Sequence, residues 1–144
     1  MERAETPDVA MSEIFEAIVR QTPEAIVFAD RAGVIRVWNQ GAASVFGFSE
    51  AEAVGQSRDL IVPERFRRAH WEGYQRAIAE GHPRLGAHIR TTRSLHKDGR
   101  KLYVEMSFGI VTRADGASVG SVAVARTSTS SQHITERGAP TAQP

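Results

Sequence analysis

The chain has 144 residues, 41% of them hydrophobic, which suffices for one buried core and is too few for two independent domains. Its 18 basic and 17 acidic residues form no long block of one sign, which argues against nucleic acid or an anionic membrane as partner. The absence of cysteine excludes disulfides, thiolate zinc sites, thiol nucleophiles and cysteinyl-flavin photochemistry. No apolar run reaches the roughly 18 to 20 residues of a spanning helix, and no signal peptide follows Met1, so we expect a cytoplasmic protein.

The first predicted elements are a helix and a hairpin. Residues 1–8 are polar and we expect them to be disordered, whereas apolar residues recur at helical spacing over 9–21. That spacing predicts an amphipathic helix whose exposed half is a possible dimer contact. Residues 25–29 and 34–38 are two β-rich runs, and Asp30-Arg31-Ala32-Gly33 between them is typical of a tight hairpin turn.

Helices are predicted next. Asn39 can cap a short helix, and Ser49 with Glu52 three residues later forms a capping-box pattern for another. A longer helix is predicted over about 64–80, with His70 on its apolar face.

The remaining chain predicts three strands. A strand near 88–93 leads to the Asp98-Gly99 turn, residues 102–110 alternate between apolar and polar, and a last strand covers 119–125. The segment 127–144 is rich in Ser, Thr, Gln, Gly and Pro, and we expect a disordered tail. An antiparallel sheet with helices on one face is an α+β fold that encloses a pocket.

Several signposts occur in a characteristic order: Asp30, Gly33, Ile35, Trp38-Asn39, Phe46-Gly47-Phe48-Ser49, Glu52, Gly55, Pro63, Lys97-Asp98-Gly99 and Gly120. In this order and spacing, the chain resembles PAS domains of the S-box type over about residues 15–126. The resemblance implies a PAS domain over 22–126. It also implies a five-stranded antiparallel sheet in the order 2-1-5-4-3, with short helices and one longer helix covering one face.

An ungapped stretch from Phe46 to Glu64, continued through Arg68-Ala69-His70 and Gly73-Tyr74 to Arg90, is similar to the haem-binding PAS domains of FixL-type oxygen sensors. This similarity implies haem b with His70 as the proximal iron ligand. It implies that Arg76 contacts a haem propionate and that Arg90 contacts a propionate or bound oxygen. It also implies that Met106 and Phe108 line the distal side of the haem. In a second branch of haem PAS sensors, a methionine at the position matching His88 is the sixth iron ligand. This similarity implies that His88 is the sixth ligand here.

The residues themselves are compatible with such a pocket. Neutral imidazole is a suitable axial ligand for haem iron, and Tyr74 shares the helix face of His70. An apolar distal wall is available from Ile89, Met106, Phe108 and Val122. If Ile89 faces inward, His88 and Arg90 face outward, so these two sets are alternatives.

We therefore expect a sensory module, not an enzyme, that binds haem b for gas or redox sensing. It would form a homodimer and signal to a separate, unidentified protein, with no nucleic acid or membrane as partner. The alternative is a metal-free interaction and dimerisation module that binds a small organic ligand, a non-covalent flavin, or no ligand.

Overall fold

The structure is a computed structural model that describes residues 8–82 and 89–128. His88, and nearly all of the two terminal segments expected to be disordered, lie outside the described residues. In chain order the elements are α1 (Met11–Gln21), β1 (Ala25–Asp30), β2 (Ile35–Trp38), α2 (Gln40–Phe46), α3 (Glu50–Ala53), two 3₁₀ turns (Arg58–Ile61 and Glu64–Phe66), α4 (Arg67–Glu80), β3 (Arg90–Leu95), β4 (Lys101–Thr112) and β5 (Ser118–Thr127).

The five strands form one antiparallel sheet in the order β2-β1-β5-β4-β3, which confirms the predicted order. The last strand thus lies in the middle, between β1 and β4. Helix α4 contacts this central strand, and α2 contacts β1. Helices therefore cover one face of the sheet, as the α+β prediction requires.

Two strand boundaries differ from the prediction. Strand β3 covers Arg90–Leu95, with Ile89 outside the strand, and β5 continues to Thr127, one residue into the segment expected to be a tail. Thr127 pairs with Val104, and the next amide, that of Ser128, donates to the carbonyl of Tyr103 at 3.0 Å. Backbone pairing with β4 orders these polar residues, although their side chains carry no strand pattern.

The main core lies between the sheet and the short helices. Trp38 and Phe46 are almost fully buried, with ring centroids 5.6 Å apart. The indole N–H of Trp38 donates to the carbonyl of Phe48 at 2.8 Å, so the buried ring leaves no unpaired donor. Burying such large rings supplies much of the driving force for packing the helices onto the sheet.

Asn39 joins three elements and is 3% exposed. Its side-chain oxygen accepts from the amides of Ala42 and Ile26, both at 2.8 Å, which confirms the predicted cap of α2. Its amide nitrogen donates to the carbonyls of Val19 at 2.8 Å and Glu24 at 2.9 Å. One side chain therefore fixes the end of α1 against β1 and α2.

Helix α1 lies at the edge of this arrangement with none of its residues buried. Met11, Phe15 and Ile18 are 59%, 59% and 58% exposed and follow one another at helical spacing. In the part of the chain that the structure describes, no helix is long and apolar enough to cross a membrane.

Candidate ligand pocket between helix α4 and the sheet

His70 lies on α4, one turn before Tyr74. Both of its ring nitrogens are buried without a hydrogen-bond partner. Burial and the nearby charge of Arg58 lower the pKa of His70 from 6.5 to about 4, against a smaller opposite effect of Asp59. At neutral pH the ring is therefore uncharged and offers one unpaired N–H donor and one unpaired nitrogen acceptor.

Arg58 begins the 3₁₀ turn before α4 and directs its guanidinium into the protein. The guanidinium carbon lies 4.3 Å from the centroid of the Tyr74 ring and 5.7 Å from that of Trp71. Its Nη1 atom is buried and has no hydrogen-bond partner. Burial lowers the pKa of Arg58, because the charged form loses its hydration. The turn itself is fixed by a 2.8 Å hydrogen bond from the Arg58 amide to the carbonyl of Gly33.

Tyr74 connects α4 to the sheet. Its hydroxyl donates to the carbonyl of Ala29 at 3.1 Å and forms a second, short contact with the carbonyl of Asp30. The edge of its ring meets Phe108 of β4 at a centroid distance of 6.4 Å. Burial raises the pKa of the Tyr74 hydroxyl, so this group is a neutral donor at neutral pH.

Trp71 packs against the β1–β2 turn at Gly33. Its indole N–H donates to Asp59 Oδ2 at 2.9 Å, while Asp59 Oδ1 is buried without a partner. Gly33 has a φ of +80°, and a Cβ there would lie 2.2 Å from the Trp71 ring. The turn glycine is therefore required both by its backbone angle and by the close approach of the indole.

The register of β3 and β4 decides which of the alternative residues faces the helices. Arg90 is directly opposite Met106, which packs against the main core. Opposed residues of an antiparallel pair point to the same face, so Arg90 shares the face of Met106. Ile89 is 64% exposed. On the same face of β3, the hydroxyl of Thr92 is buried without a partner.

Val122 does not occupy the position predicted for it. It is paired with Gly109 and Phe28, whereas the residue opposite Phe108 is Ala123. Because neighbouring residues of a strand point to opposite faces, Val122 lies on the face away from Phe108, and Ala123 takes the pocket side.

The structure brings together three of the predicted residues, namely His70, Tyr74 and Phe108, with Met106 and Arg90 on the same face of the sheet. Arg76 is exposed on α4, as is Ile89 before β3. Sequence reasoning missed four residues of the pocket: Arg58, Asp59, Trp71 and Thr92. No spacing pattern marks them, since their burial depends on how the Arg58–Ile61 turn packs against α4 and β3. Within residues 8–82 and 89–128, no three His, Asp or Glu side chains gather into a metal site.

Residues 13–127 match a family model described as the PAS fold. The chain belongs to the PAS family. As a PAS domain it is a sensory and signalling module. Over 93 residues it is 28% identical to the sensor protein FixL of Bradyrhizobium diazoefficiens, an alignment that covers 65% of this chain and 18% of FixL. This supports the FixL-like similarity, while the chain spans less than a fifth of that relative.

Solved PAS structures show the same fold. The PAS domain of a protein from Colwellia psychrerythraea superposes with a TM-score of 0.72 at 22% identity, covering 83% of this chain and 98% of that one. An RNA-binding light-oxygen-voltage receptor superposes with a TM-score of 0.68 at 17% identity, covering 95% of this chain and 37% of the receptor. At these identities the likeness extends to the PAS fold and not to the ligand.

Proposed function

We propose that this PAS domain is a sensor that binds a small organic ligand between α4, the Arg58–Ile61 turn and the sheet, and that it reports occupancy to a second protein. One observation carries the proposal. A set of buried polar atoms in this region has no hydrogen-bond partner: Arg58 Nη1, Asp59 Oδ1, both ring nitrogens of His70 and Thr92 Oγ1. Such atoms are uncommon in folded proteins, and a ligand, an ordered water or an ion usually supplies the missing partner.

The unpaired atoms indicate which hydrogen-bonding groups the ligand carries. Leaving a buried donor or acceptor unsatisfied costs about 1–3 kcal/mol, so a ligand that supplies both donors and acceptors gains affinity from several groups at once. Phe108 and Met106 offer it an apolar surface on the sheet side. The proposal assigns binding, not turnover, to these residues.

Native mass spectrometry tests this proposal. We expect the purified chain to carry an additional small-molecule mass, which the double variant Arg58→Met/His70→Leu loses while its circular dichroism stays that of the parent. Denaturing the parent releases the molecule for identification. A chain that shows its own mass alone after expression in unrelated hosts, and that stays so after incubation with cell metabolites, contradicts the proposal.

Haem b on His70 is the second candidate. It is favoured by the unpartnered, neutral imidazole and by the identity to FixL. The donor atom fits haem iron, but the surroundings do not fit a macrocycle as they stand. Arg58 lies beside His70 and stacks on Tyr74, and the edge of Tyr74 meets Phe108, so these contacts leave no room for a flat macrocycle between Arg58, Tyr74 and Phe108. Haem would have to displace Arg58 from the aromatic ring.

Hemin titration separates the two candidates. Under the haem hypothesis, a Soret band saturates at one haem per chain and collapses in His70→Ala. Under the small-ligand hypothesis, hemin added to the protein gives no His70-dependent band. A band that persists unchanged in His70→Ala reports nonspecific association and contradicts the haem hypothesis.

The route of the signal is also part of the proposal. Asn39 ties the end of α1 to β1 and α2, and α1 presents the exposed stripe of Met11, Phe15 and Ile18. An open groove of about 460 Å³ runs along the same helix. We propose that α1 contacts a second copy of the chain. We further propose that the domain has two conformations that differ both in this contact and in their affinity for the ligand, so that ligand binding shifts the population between them.

A further inference from the structure

The largely buried positive charge of Arg58 has no paired negative charge among the described residues. Within the part of the chain that the structure describes, no salt bridge reaches its guanidinium, whose Nη1 is buried and unpaired. Asp59, next in sequence, holds the indole N–H of Trp71 through Oδ2. A buried cation without a paired anion is unfavourable, because desolvation costs several kcal/mol per ion.

The aromatic contacts fix how Arg58 presents its donors. The ring centroids of Tyr74 and Trp71 lie 4.3 and 5.7 Å from the guanidinium carbon, and the two rings hold the group by cation–π attraction. At the edge of the guanidinium, the buried Nη1 has no hydrogen-bond partner and is available to a ligand. A preorganised guanidinium edge is the group that binds a carboxylate with two parallel hydrogen bonds.

We infer that the ligand of this pocket carries a carboxylate, which binds to the guanidinium of Arg58 and accepts a second hydrogen bond from His70. This inference rests on the proposed ligand-sensing function and names the chemical class of the ligand. His70 is close enough to Arg58 for its pKa to be lowered by the guanidinium charge, and the neutral ring keeps one N–H donor. Thr92 adds an unpaired hydroxyl on β3, the strand that contacts the Arg58–Ile61 turn.

The charges of the pocket favour a single negative charge over two. Arg58 supplies one cation, His70 is neutral, and Asp59 repels an anion. A phosphate dianion would meet one cation and one carboxylate, whereas a monocarboxylate matches the guanidinium in both charge and shape. The rest of the ligand would lie against Phe108 and Met106, which favours an apolar or aromatic body.

Matched pairs of probes test the inference: acetate with acetamide, and benzoate with benzamide, with inorganic phosphate as the dianion. Each is added at constant ionic strength to the whole chain, to Arg58→Met and to Arg68→Met, and affinity is measured by calorimetry and thermal shift. Arg68 is the matched control because its side chain is 93% exposed. A charge-assisted pair is worth about 1.5–3 kcal/mol, so each carboxylate should bind at least about tenfold more tightly than its amide.

The expected result is that this preference is lost in Arg58→Met and kept in Arg68→Met. Acetate is small enough for any carboxylate site, so a wild-type chain that prefers neither acid over its amide overturns the inference. Phosphate binding more tightly than benzoate overturns it as well. If the amides bind as tightly as the acids, and Arg58→Met binds all of them, the carboxylate inference fails while the ligand-sensing function stands. If no probe binds and native mass spectrometry finds no ligand, both fail.

Discussion

The guanidinium carbon of Arg58 lies 4.3 Å from the centroid of the Tyr74 ring, a cation held over an aromatic face inside a sensory domain. Placing Arg58 here has two opposing effects on the free energy of unfolding, a favourable attraction to the ring and an unfavourable loss of hydration. Cation–π attraction contributes about 1–2 kcal/mol at such a desolvated site, whereas burying the charge costs several kcal/mol.

Arg58→Met should therefore stabilise the ligand-free protein. Methionine keeps an unbranched apolar side chain against Tyr74 and removes the buried charge, so we expect the free energy of unfolding to rise by about 1 kcal/mol. Urea denaturation in a buffer without carboxylates measures it. Arg68→Met on the surface should change stability by less than about 0.5 kcal/mol. A loss of stability in Arg58→Met would show that the charge is compensated in the free protein.

His70 predicts a specific dependence of stability on pH. Its pKa is lowered from 6.5 to about 4 on folding, mainly by burial and next by Arg58, so the unfolded chain binds more protons between these values. Stability should fall as pH falls from 6.5 towards 4, by roughly 3 kcal/mol at most, given 1.36 kcal/mol per pKa unit. Above pH 6.5 the protein has no such penalty.

The comparison with His70→Gln isolates this effect, because Asp30, Glu52 and Asp98 have lowered pKa values and also lose stability in acid. The difference in unfolding free energy between the two proteins should depend on pH between 4 and 6.5 and be constant above. NMR titration in Arg58→Met should find the pKa of His70 higher than in the parent and still below 6.5, because burial remains. A parent His70 that titrates at 6.5 contradicts the buried position.

Tyr74→Phe tests the anchor between α4 and β1. The variant keeps the ring against Phe108 and Arg58 but leaves the carbonyls of Ala29 and Asp30 without this donor. We expect a loss of about 1–2 kcal/mol in unfolding free energy. Tyr103→Phe is the matched control, since Tyr103 lies half-buried on β4 and no hydrogen bond from its hydroxyl occurs within the described ranges; its loss should be under about 0.5 kcal/mol. Equal losses in both variants would argue against the anchor.

The sequence predicts the sheet order and the local caps, and both are confirmed. Asn39 caps α2, and Ser49 with Glu52 forms the capping box of α3. Both caps depend on contacts between residues three positions apart, which a sequence pattern records directly. The strand order came from the resemblance to PAS domains and not from periodicity.

The interior of the pocket is predicted less well, for two physical reasons. In β5 both faces carry small or β-branched residues, so alternation does not reveal that Ala123, and not Val122, lies beside Phe108. Arg58 follows a serine cap in a polar stretch, and a charged residue there is expected in solvent. Its burial arises from the packing of a 3₁₀ turn under Trp71 and Tyr74, which are distant in sequence.

Asn39→Asp should loosen α1 from the PAS core. The aspartate keeps the oxygen that accepts from Ala42 and Ile26, but it loses the N–H donors to the carbonyls of Val19 and Glu24 and places a negative charge beside them. We expect about 2–3 kcal/mol less stability, with hydrogen exchange in α1 accelerated most.

Gln40→Glu makes the same amide-to-carboxylate change at the next residue, on the exposed first turn of α2. A carboxylate is favourable at a helix N-terminus, so this control should leave α1 exchange as in the parent. If Asn39→Asp leaves α1 protected, the helix is held to the core by other contacts, and a signalling route through Asn39 is not supported.

The exposed stripe of α1 predicts how the proposed homodimer can be broken. Phe15 is 59% exposed in the single chain, and a second copy would bury it at the centre of the stripe. Phe15→Glu then places a charge in an apolar contact, and we expect the dimer dissociation constant to rise at least about tenfold, as for an interface hot spot. Sedimentation equilibrium measures it. Val54→Glu makes the same kind of change at another exposed apolar residue, 37% exposed after α3, and should leave dimerisation intact. A parent chain that is monomeric at all concentrations, or a dimer equally sensitive to both variants, contradicts an interface on α1.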